Sequence, residues 1–488
     1  MATNLKNRLS KSRYMEGLRC PLALYLSVHR YNLRDTPTQE QEARFAGGNR
    51  VGRIARERYP QGVLIEQDYL HHREAVEATR AALATGAPAI FEAAFTHDNV
   101  KIRADVLLRL DGGGYELIEV KSTGSYSADK HLADAGVQLH VLLGCGVDVQ
   151  RVSLMHLNKE YVYGGGAYDP HQLLVSTDIT REAIDYLACV PARLEEMMAT
   201  LALPEAPAVT PGSSCSKPYD CAFIGWCTRD VAAPDYSGAV TTVDAVLECL
   251  DDLRFPLHFV DFETVNPPLP IFVGSSPFQV KRVQWSIHTL RADGGLSHAE
   301  WLASDASCDP DPEFMRTLLE ALGTEGTFIH YSAYERTQLV DIAVRHPEFR
   351  QRLVERIPGF SNKLVERLAG SGISYADLMP SGSGGLGDFD LGVRVVRDGC
   401  LHPTLGPRHY TIKTAIKLLA RDLPPYEGLA VSNGGQAMAA TQVMLAAETT
   451  AEQKAQIRED LLTYCEQDTR SMVEIYRTLA LLRAAPKG

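Results

Sequence analysis

Between Ala89 and Val120 the hydrophobic pattern alternates at the two-residue period of strands, three times in succession. The segments Ile90–Phe95, Val100–Leu107 and Tyr115–Val120 are predicted strands, and Asp111-Gly112-Gly113-Gly114 joins the last two as a hairpin. Helical periodicity surrounds them at 10–30, 38–58, 72–85 and 129–143, and Val149–Leu157 is a further predicted strand. The fold class expected is α/β. The strands also carry charge. Asp105 lies on one arm, and Glu119-Val120-Lys121 ends the next. Residues two apart on a strand share a face, so Glu119 and Lys121 point the same way and Asp105 reaches them from its neighbour. Such carboxylates are hard oxygen ligands suited to Mg²⁺ or Mn²⁺. A bound ion polarises a phosphate oxygen and lowers the pKa of a water, and Lys121 orients that water for attack. Glu92, on the preceding strand, is a candidate outer ligand.

At 488 residues the chain exceeds one ordinary core. Prolines crowd 204–218, and Ala232-Ala233-Pro234 follows, so domains are expected at 1–235 and 245–488. The net charge of −12 argues against a broad nucleic-acid-binding surface but leaves room for local basic runs, here Lys6, Arg8, Lys11, Arg13 and Arg19, then Arg50, Arg53, Arg56 and Arg58. No apolar run has the length of a membrane span, and Met1–Lys6 lacks the apolar core of a signal peptide. A cytoplasmic protein without a membrane partner is therefore expected. Of ten cysteines, Cys215, Cys221 and Cys227 recur at even spacing around Pro218 and Trp226. Disulfides are rare in the cytosol, and zinc ribbons prefer tighter pairs. With Cys20 as fourth ligand, a [4Fe-4S] cluster serving as a structural staple is the expectation. Cys145, Cys189, Cys249, Cys308, Cys400 and Cys465 are expected to be buried thiols.

Tyr14, Gly17-Leu18-Arg19-Cys20-Pro21, Asp105, Glu119-Val120-Lys121 and the three-cysteine tail together resemble the RecB-like and CRISPR-associated iron–sulfur PD-(D/E)XK nucleases over residues 8–230. The resemblance implies a cluster on Cys20, Cys215, Cys221 and Cys227, and Mg²⁺- or Mn²⁺-dependent cleavage of DNA. It also gives Gln138 the place of a glutamine motif that contacts the site. Two positions depart from the pattern: Gly47–Tyr59 holds no histidine, and Leu142 stands where a tyrosine is usual.

The second half carries an unrelated acidic set. Strands are predicted at Leu257–Glu263, Val283–Leu290 and Thr327–Tyr331, and helices at 311–323, 334–345, 411–420 and 451–483. Asp261 and Glu263 share one strand face. Tyr464 and Asp468, four apart, share a helix face, off which Cys465 falls as a packing residue. These are similar to the first and last motifs of DEDD (RNase H-like, DnaQ-like) 3′–5′ exonucleases. That likeness implies two metals on Asp261, Glu263, Glu335 and Asp468, with the Tyr464 hydroxyl orienting water. Glu335 takes the middle-motif place in His330-Tyr331-Ser332-Ala333-Tyr334-Glu335, and Asp377 is a supporting acid. The whole arrangement resembles the bacterial DUF2779 proteins. There the segment His409-Tyr410-Thr411-Ile412-Lys413-Thr414 also fits, with Lys413 a candidate phosphate contact. The function expected is a metal-dependent 3′–5′ exonuclease on single-stranded DNA; the alternatives are an RNA exonuclease, or a module that binds nucleic acid or a partner protein and whose N-terminal nuclease site is degenerate.

Overall fold

A computed structural model describes residues 9–217, 219–231, 241–243, 247–378, 384–397, 400–401 and 411–484. Pro218 and the His409-Tyr410 segment therefore lie outside the described residues. The chain divides into two compact units, Met1–Ala232 with Ser276–Phe278, and Ala233–Ser275 with Gln279–Gly488. Both are mixed α/β, each built on a mixed sheet. No helix among the described residues is long and apolar enough to cross a membrane.

The sheet of the first unit contains β1 (Leu9–Ser10), β2 (Val63–Leu64), β3 (Ala89–His97), β4 (Val100–Arg109), β5 (Tyr115–Val120), β6 (Val149–Leu157) and β7 (Leu174–Asp178). Its order is β2-β3-β4-β5-β6-β7, with β1 paired to β4. The strands β3, β4 and β5 form an antiparallel meander. Parallel strands need a crossover, and α5 (Ala128–Gly144) supplies it by leading to β6, parallel to β5. Val137, Leu139, Val141 and Leu142 of α5 join Ile90, Leu107, Leu117 and Leu154 in the core.

The expected helix over 10–30 is two helices, α1 (Lys11–Arg19) and α2 (Pro21–His29). Cys20 between them is extended, at φ −163° and ψ 123°. Proline disfavours the helical conformation in the residue before it and lacks an N–H, yet suits a helix's first position, so Pro21 ends one helix and starts the next. α3 (Gln39–Glu57) and α4 (His72–Ala84) follow. After a short α6 (Pro170–Leu173) come α7 (Thr180–Tyr186) and α8 (Val190–Leu201), the last again with proline at a helix start. A short α9 (Ile224–Thr228) ends the unit.

The second unit's main sheet has the order β11-β10-β9-β12-β13. These are β9 (Leu257–Val265), β10 (Lys281–Leu290), β11 (Leu296–Leu302), β12 (Thr327–His330) and β13 (Gly387–Asp390). A separate antiparallel pair joins β8 (Thr241–Thr242) to β14 (Cys400–Leu401). The first three strands of the main sheet are antiparallel, while β12 and β13 run parallel to β9. Helices cover both faces. α10 (Asp311–Ala321), α11 (Ala333–Arg345), α12 (Arg350–Arg356) and α13 (Ser361–Arg367) close over Val260, Phe262, Trp285 and Phe328. α14 (Ile412–Leu419), α15 (Gly434–Leu445) and the long α16 (Ala451–Ala484) close over Phe259, Leu290 and Ile329. Successive strand residues point to opposite faces, so β9 sends Leu257 and Phe259 into one core and Val260 and Phe262 into the other.

Two of the thiols expected to be buried, Cys145 and Cys308, are exposed, and Cys189 and Cys249 are only partly covered. Cys145 caps the C-terminus of α5, where the chain turns outward, and Cys308 lies in a polar loop. The apolar sequence neighbourhood of Cys145 did not translate into burial at that turn.

Candidate metal centres

In the second unit, β9 presents Asp261 and Glu263 on the face covered by α15 and α16. The rotation of α16 is fixed by buried polar contacts with β10. Thr469 meets Ser286 Oγ at 2.9 Å and His288 Nδ1 at 2.8 Å, and Gln284 Nε2 donates to the Leu461 carbonyl at 3.0 Å. That rotation turns Asp468 onto the end of β9. One ligand oxygen from each of Asp261, Glu263 and Asp468 lies within 4.8 Å of the others. Tyr426 donates to Asp468 Oδ1 at 2.5 Å and meets Ser471 Oγ at 3.2 Å. Lys413, near the start of α14, stands 5.1 Å from the Tyr426 ring centre and 5.6 Å from that of Tyr464, with its ammonium bonded to the Ser432 carbonyl. Tyr464 is buried beside the acids.

The electrostatics are those of like charges taken out of water. Burial, then repulsion from Asp468, Glu263 and Glu335, holds the Asp261 carboxyl well above its usual range. Burial and Asp468 do the same to Glu263, against the opposing charge of Lys413. Burial pushes Asp468 up to about 6, although hydrogen bonds from Tyr426 and Tyr464 and the Lys413 charge favour its ionised form. Glu335 sits in the first turn of α11, whose N-cap Ser332 accepts from Tyr334 N at 3.1 Å. It stands outside the 4.8 Å group but contributes to the repulsion on Asp261 and Glu263. Burial raises it to about 7 against the pull of His330, 4.0 Å away.

Asp377 is not brought to this cluster. It is exposed and accepts from Ser374 N and Oγ, each at 2.7 Å, in its own turn. Cys465 does more than pack. Although off the Tyr464–Asp468 face, it is fully buried and its thiol lies 3.4 Å from Asp261 Oδ2, because β9 passes beneath that side of α16. Tyr426, an isolated tyrosine after two prolines, gave no sequence signal.

In the first unit Asp105, Glu119, Lys121 and Gln138 do converge. Asp105 Oδ2 accepts from Val120 N at 2.8 Å. Glu119, 1% exposed, accepts from Lys121 at 2.7 Å and from Gln138 Nε2 at 2.7 Å. Two further residues complete the group. Lys11 donates to both Glu119 oxygens, at 2.9 and 3.2 Å, and Asp134 accepts from Lys121 at 2.5 Å. Asp134 was legible, since it stands four residues before Gln138 on one helix face. Burial and the neighbouring Glu119 push Asp105 up to about 7. Burial opposes the ionisation of Glu119, but Lys11 and Lys121 outweigh it and hold the carboxyl well below its usual range. Glu92 lies apart: it adopts φ 57° and pairs with Arg103 Nε at 3.4 Å. The first basic run does not form one surface either. Lys11 turns inward, Arg19 bonds to the carbonyls of Lys217 and Tyr219, and Lys6 and Arg8 lie outside the described residues.

Cys20, Cys215, Cys221 and Cys227 line one cavity with Leu22, Phe223 and Ile224. Burial pushes the Cys221 and Cys227 thiols up, and the other cysteines of the set add to the rise. Among the described residues, Asp309, Asp311 and His346 also form a close ligand group, but Lys281, Arg282 and Arg345 neutralise it. His97, Asp98 and His140 form another at the β3–β4 turn.

Residues 258–362 match the family model of a domain of unknown function, DUF2779. The match runs from β9 into α13 and so covers Asp261, Glu263 and Glu335, but neither Asp468 nor the first unit. No curated protein matches the chain.

Proposed function

We propose that this chain is a metal-dependent nuclease whose cutting centre is the acidic cluster of the second unit, working as a 3′–5′ exonuclease on single-stranded DNA. The observation that carries this reading is the convergence of Asp261, Glu263 and Asp468 within 4.8 Å. Buried acids that repel one another carry an electrostatic cost that a bound cation relieves, and carboxylate oxygens are the donors that Mg²⁺ and Mn²⁺ prefer. In this reading the second unit is an RNase H-like, DEDD-type domain. Its sheet order, with β9 between the antiparallel β10 and the parallel β12, supports that. The first unit is read as a PD-(D/E)XK-like domain, on the strength of its meander and the α5 crossover that bring Asp105, Glu119 and Lys121 together.

When bound, the ions supply Lewis acidity to the scissile phosphate and to water. The chain's own groups do the rest. Asp261, Glu263 and Asp468 would hold the cations, with Glu335 contributing charge from beside them. The Tyr464 hydroxyl, held protonated by burial and the surrounding carboxylates, is placed to orient water by donating a hydrogen bond. Tyr426 holds Asp468 in one rotamer through its 2.5 Å bond. Lys413 offsets carboxylate charge and lies where a phosphate can meet it.

A [4Fe-4S] cluster on Cys20, Cys215, Cys221 and Cys227 is part of the same proposal. The four thiols share an apolar cavity, yet no three of them lie within 4.8 Å among the described residues. The test of the nuclease reading is Mn²⁺-dependent degradation of end-labelled single-stranded DNA by anaerobically purified protein, beside the Asp261→Asn variant and a matched RNA. Activity on DNA that disappears in the variant is expected. Activity retained in the variant overturns the site, and a clear preference for RNA overturns the substrate.

A further inference from the structure

We propose that Lys11 is the resident cation of the first unit's acidic centre and fills the place of a divalent ion. The chain's divalent-cation chemistry then belongs to the second unit alone. This inference rests on the nuclease reading for that second clause only.

Charge balance separates the two centres. In the first, Asp105, Glu119 and Asp134 face two ammonium groups, Lys11 and Lys121. In the second, Asp261, Glu263 and Asp468 lie together with one ammonium group, Lys413, acting on Glu263 and Asp468, while Glu335 faces His330. Occupancy separates them as well. Lys11 bonds both oxygens of Glu119 and lies 3.3 Å from Asp134 Oδ1, while Lys121 and Gln138 take further lone pairs of Glu119. A hard divalent ion collects six or more oxygens. Here it would have to displace an ammonium already bonded to the central carboxylate and would then still face Lys121. Among the described residues, the ligand groups that close within 4.8 Å include the second unit's acids but not Asp105, Glu119 or Asp134.

Lys11 is also held there by the fold. Leu9 pairs with Val100 in the sheet, Ser10 caps α1 by accepting from Arg13 N at 3.2 Å, and Lys11 is the first residue of that helix. One turn on, the fully buried Tyr14 hydroxyl meets that of Tyr186 at 3.1 Å. Sheet register, cap and buried tyrosine together set the rotation of α1 that sends Lys11 inward. The early helix α3 (Gln39–Glu57) holds no histidine to offer in exchange.

The experiment counts Mn²⁺ bound per full-length chain by electron paramagnetic resonance. The background is Asp261→Asn with Asp468→Asn, which removes the second centre. Into it go Lys11→Gln, Lys11→Met, and each of these with Glu119→Gln. The expected result is one added Mn²⁺ per chain in the Lys11 variants, lost again with Glu119→Gln, and no Mn²⁺ lost when Glu119→Gln is made alone in the wild type. The proposal is overturned if the background protein already holds a Mn²⁺ that Glu119→Gln removes. It is equally overturned if both Lys11 variants keep the wild-type circular dichroism and gain no ion. A wild type that binds no Mn²⁺ defeats the nuclease reading instead, while the gain on replacing Lys11 still decides this one.

Discussion

Asp468→Asn should stabilise the metal-free protein above pH 6, although it removes a residue from the proposed centre. Burial raises the Asp468 carboxyl from its ordinary 3.8 to about 6. The folded state therefore holds this proton more tightly than the unfolded state does. As pH rises from about 4 to about 6, the unfolded chain gains from ionisation before the folded one can, and stability falls; above that window the full loss stands. A rise from 3.8 to about 6 corresponds to about 3 kcal/mol. For a unit of 150–250 residues, this amounts to about 6–12 °C in Tm. Asparagine retains an oxygen to accept from Tyr426 and cannot ionise, so it escapes the loss. Scanning calorimetry in EDTA at pH 4 and pH 7.5 provides the assay. The variant should match the wild type at pH 4 and melt higher at pH 7.5. Added Mn²⁺ should raise the wild-type Tm most at pH 7.5 and the variant's least. A lower Tm for the variant at pH 7.5 in EDTA, or a Mn²⁺ shift that does not depend on pH, would refute the picture of mutually repelling buried carboxylates.

Three further outcomes are expected. Tyr464→Phe should lower kcat about 10²-fold with KM little changed, because it removes a hydroxyl proposed to orient water and leaves the carboxylates in place; steady-state kinetics on labelled DNA check this. Cys221→Ala should abolish a brown absorbance near ~400 nm in anaerobic preparations and lower their iron content, whereas a colourless wild type with stoichiometric zinc would refute the cluster. Lys413→Ala should weaken single-stranded DNA binding and reduce the slope of log affinity against log salt by about 1, measured by fluorescence anisotropy with Ca²⁺ in place of Mn²⁺.

The pattern of the chain foretold direction better than company. Alternation placed Asp105, Glu119 and Lys121 on neighbouring strands, and a four-residue helical step put Tyr464 and Asp468 together, because those relations depend on local periodicity alone. What escaped was contributed from far along the chain. Lys11 lies 108 residues before Glu119, and Tyr426 lies 42 before Asp468. No local period records such a meeting. Asp377 misled for the related reason that an acid near a motif has no more claim to the site than its own turn allows, and Ser374 satisfies it where it stands. β13 was missed because Gly387-Asp388-Phe389-Asp390 offers a single apolar side chain, although pairing with β12 makes it a strand.

That distinction bears on how two acidic motifs in one chain should be weighed. Spacing alone makes Glu119-Val120-Lys121 and Asp261-Phe262-Glu263 look like equal claimants for a cation, since each presents side chains two apart on a buried strand. Their surroundings make them unequal. Glu119 ionises easily because two ammonium groups pay in advance for its burial, whereas Asp261 and Glu263 resist ionisation because they are buried and Asp468 and Glu335 repel both. A divalent ion relieves the second situation and competes within the first. The affinity of each centre for a cation thus follows from the net charge folded around its motif. Lys11, at the start of α1, is one of the two ammonium groups that set the centres apart.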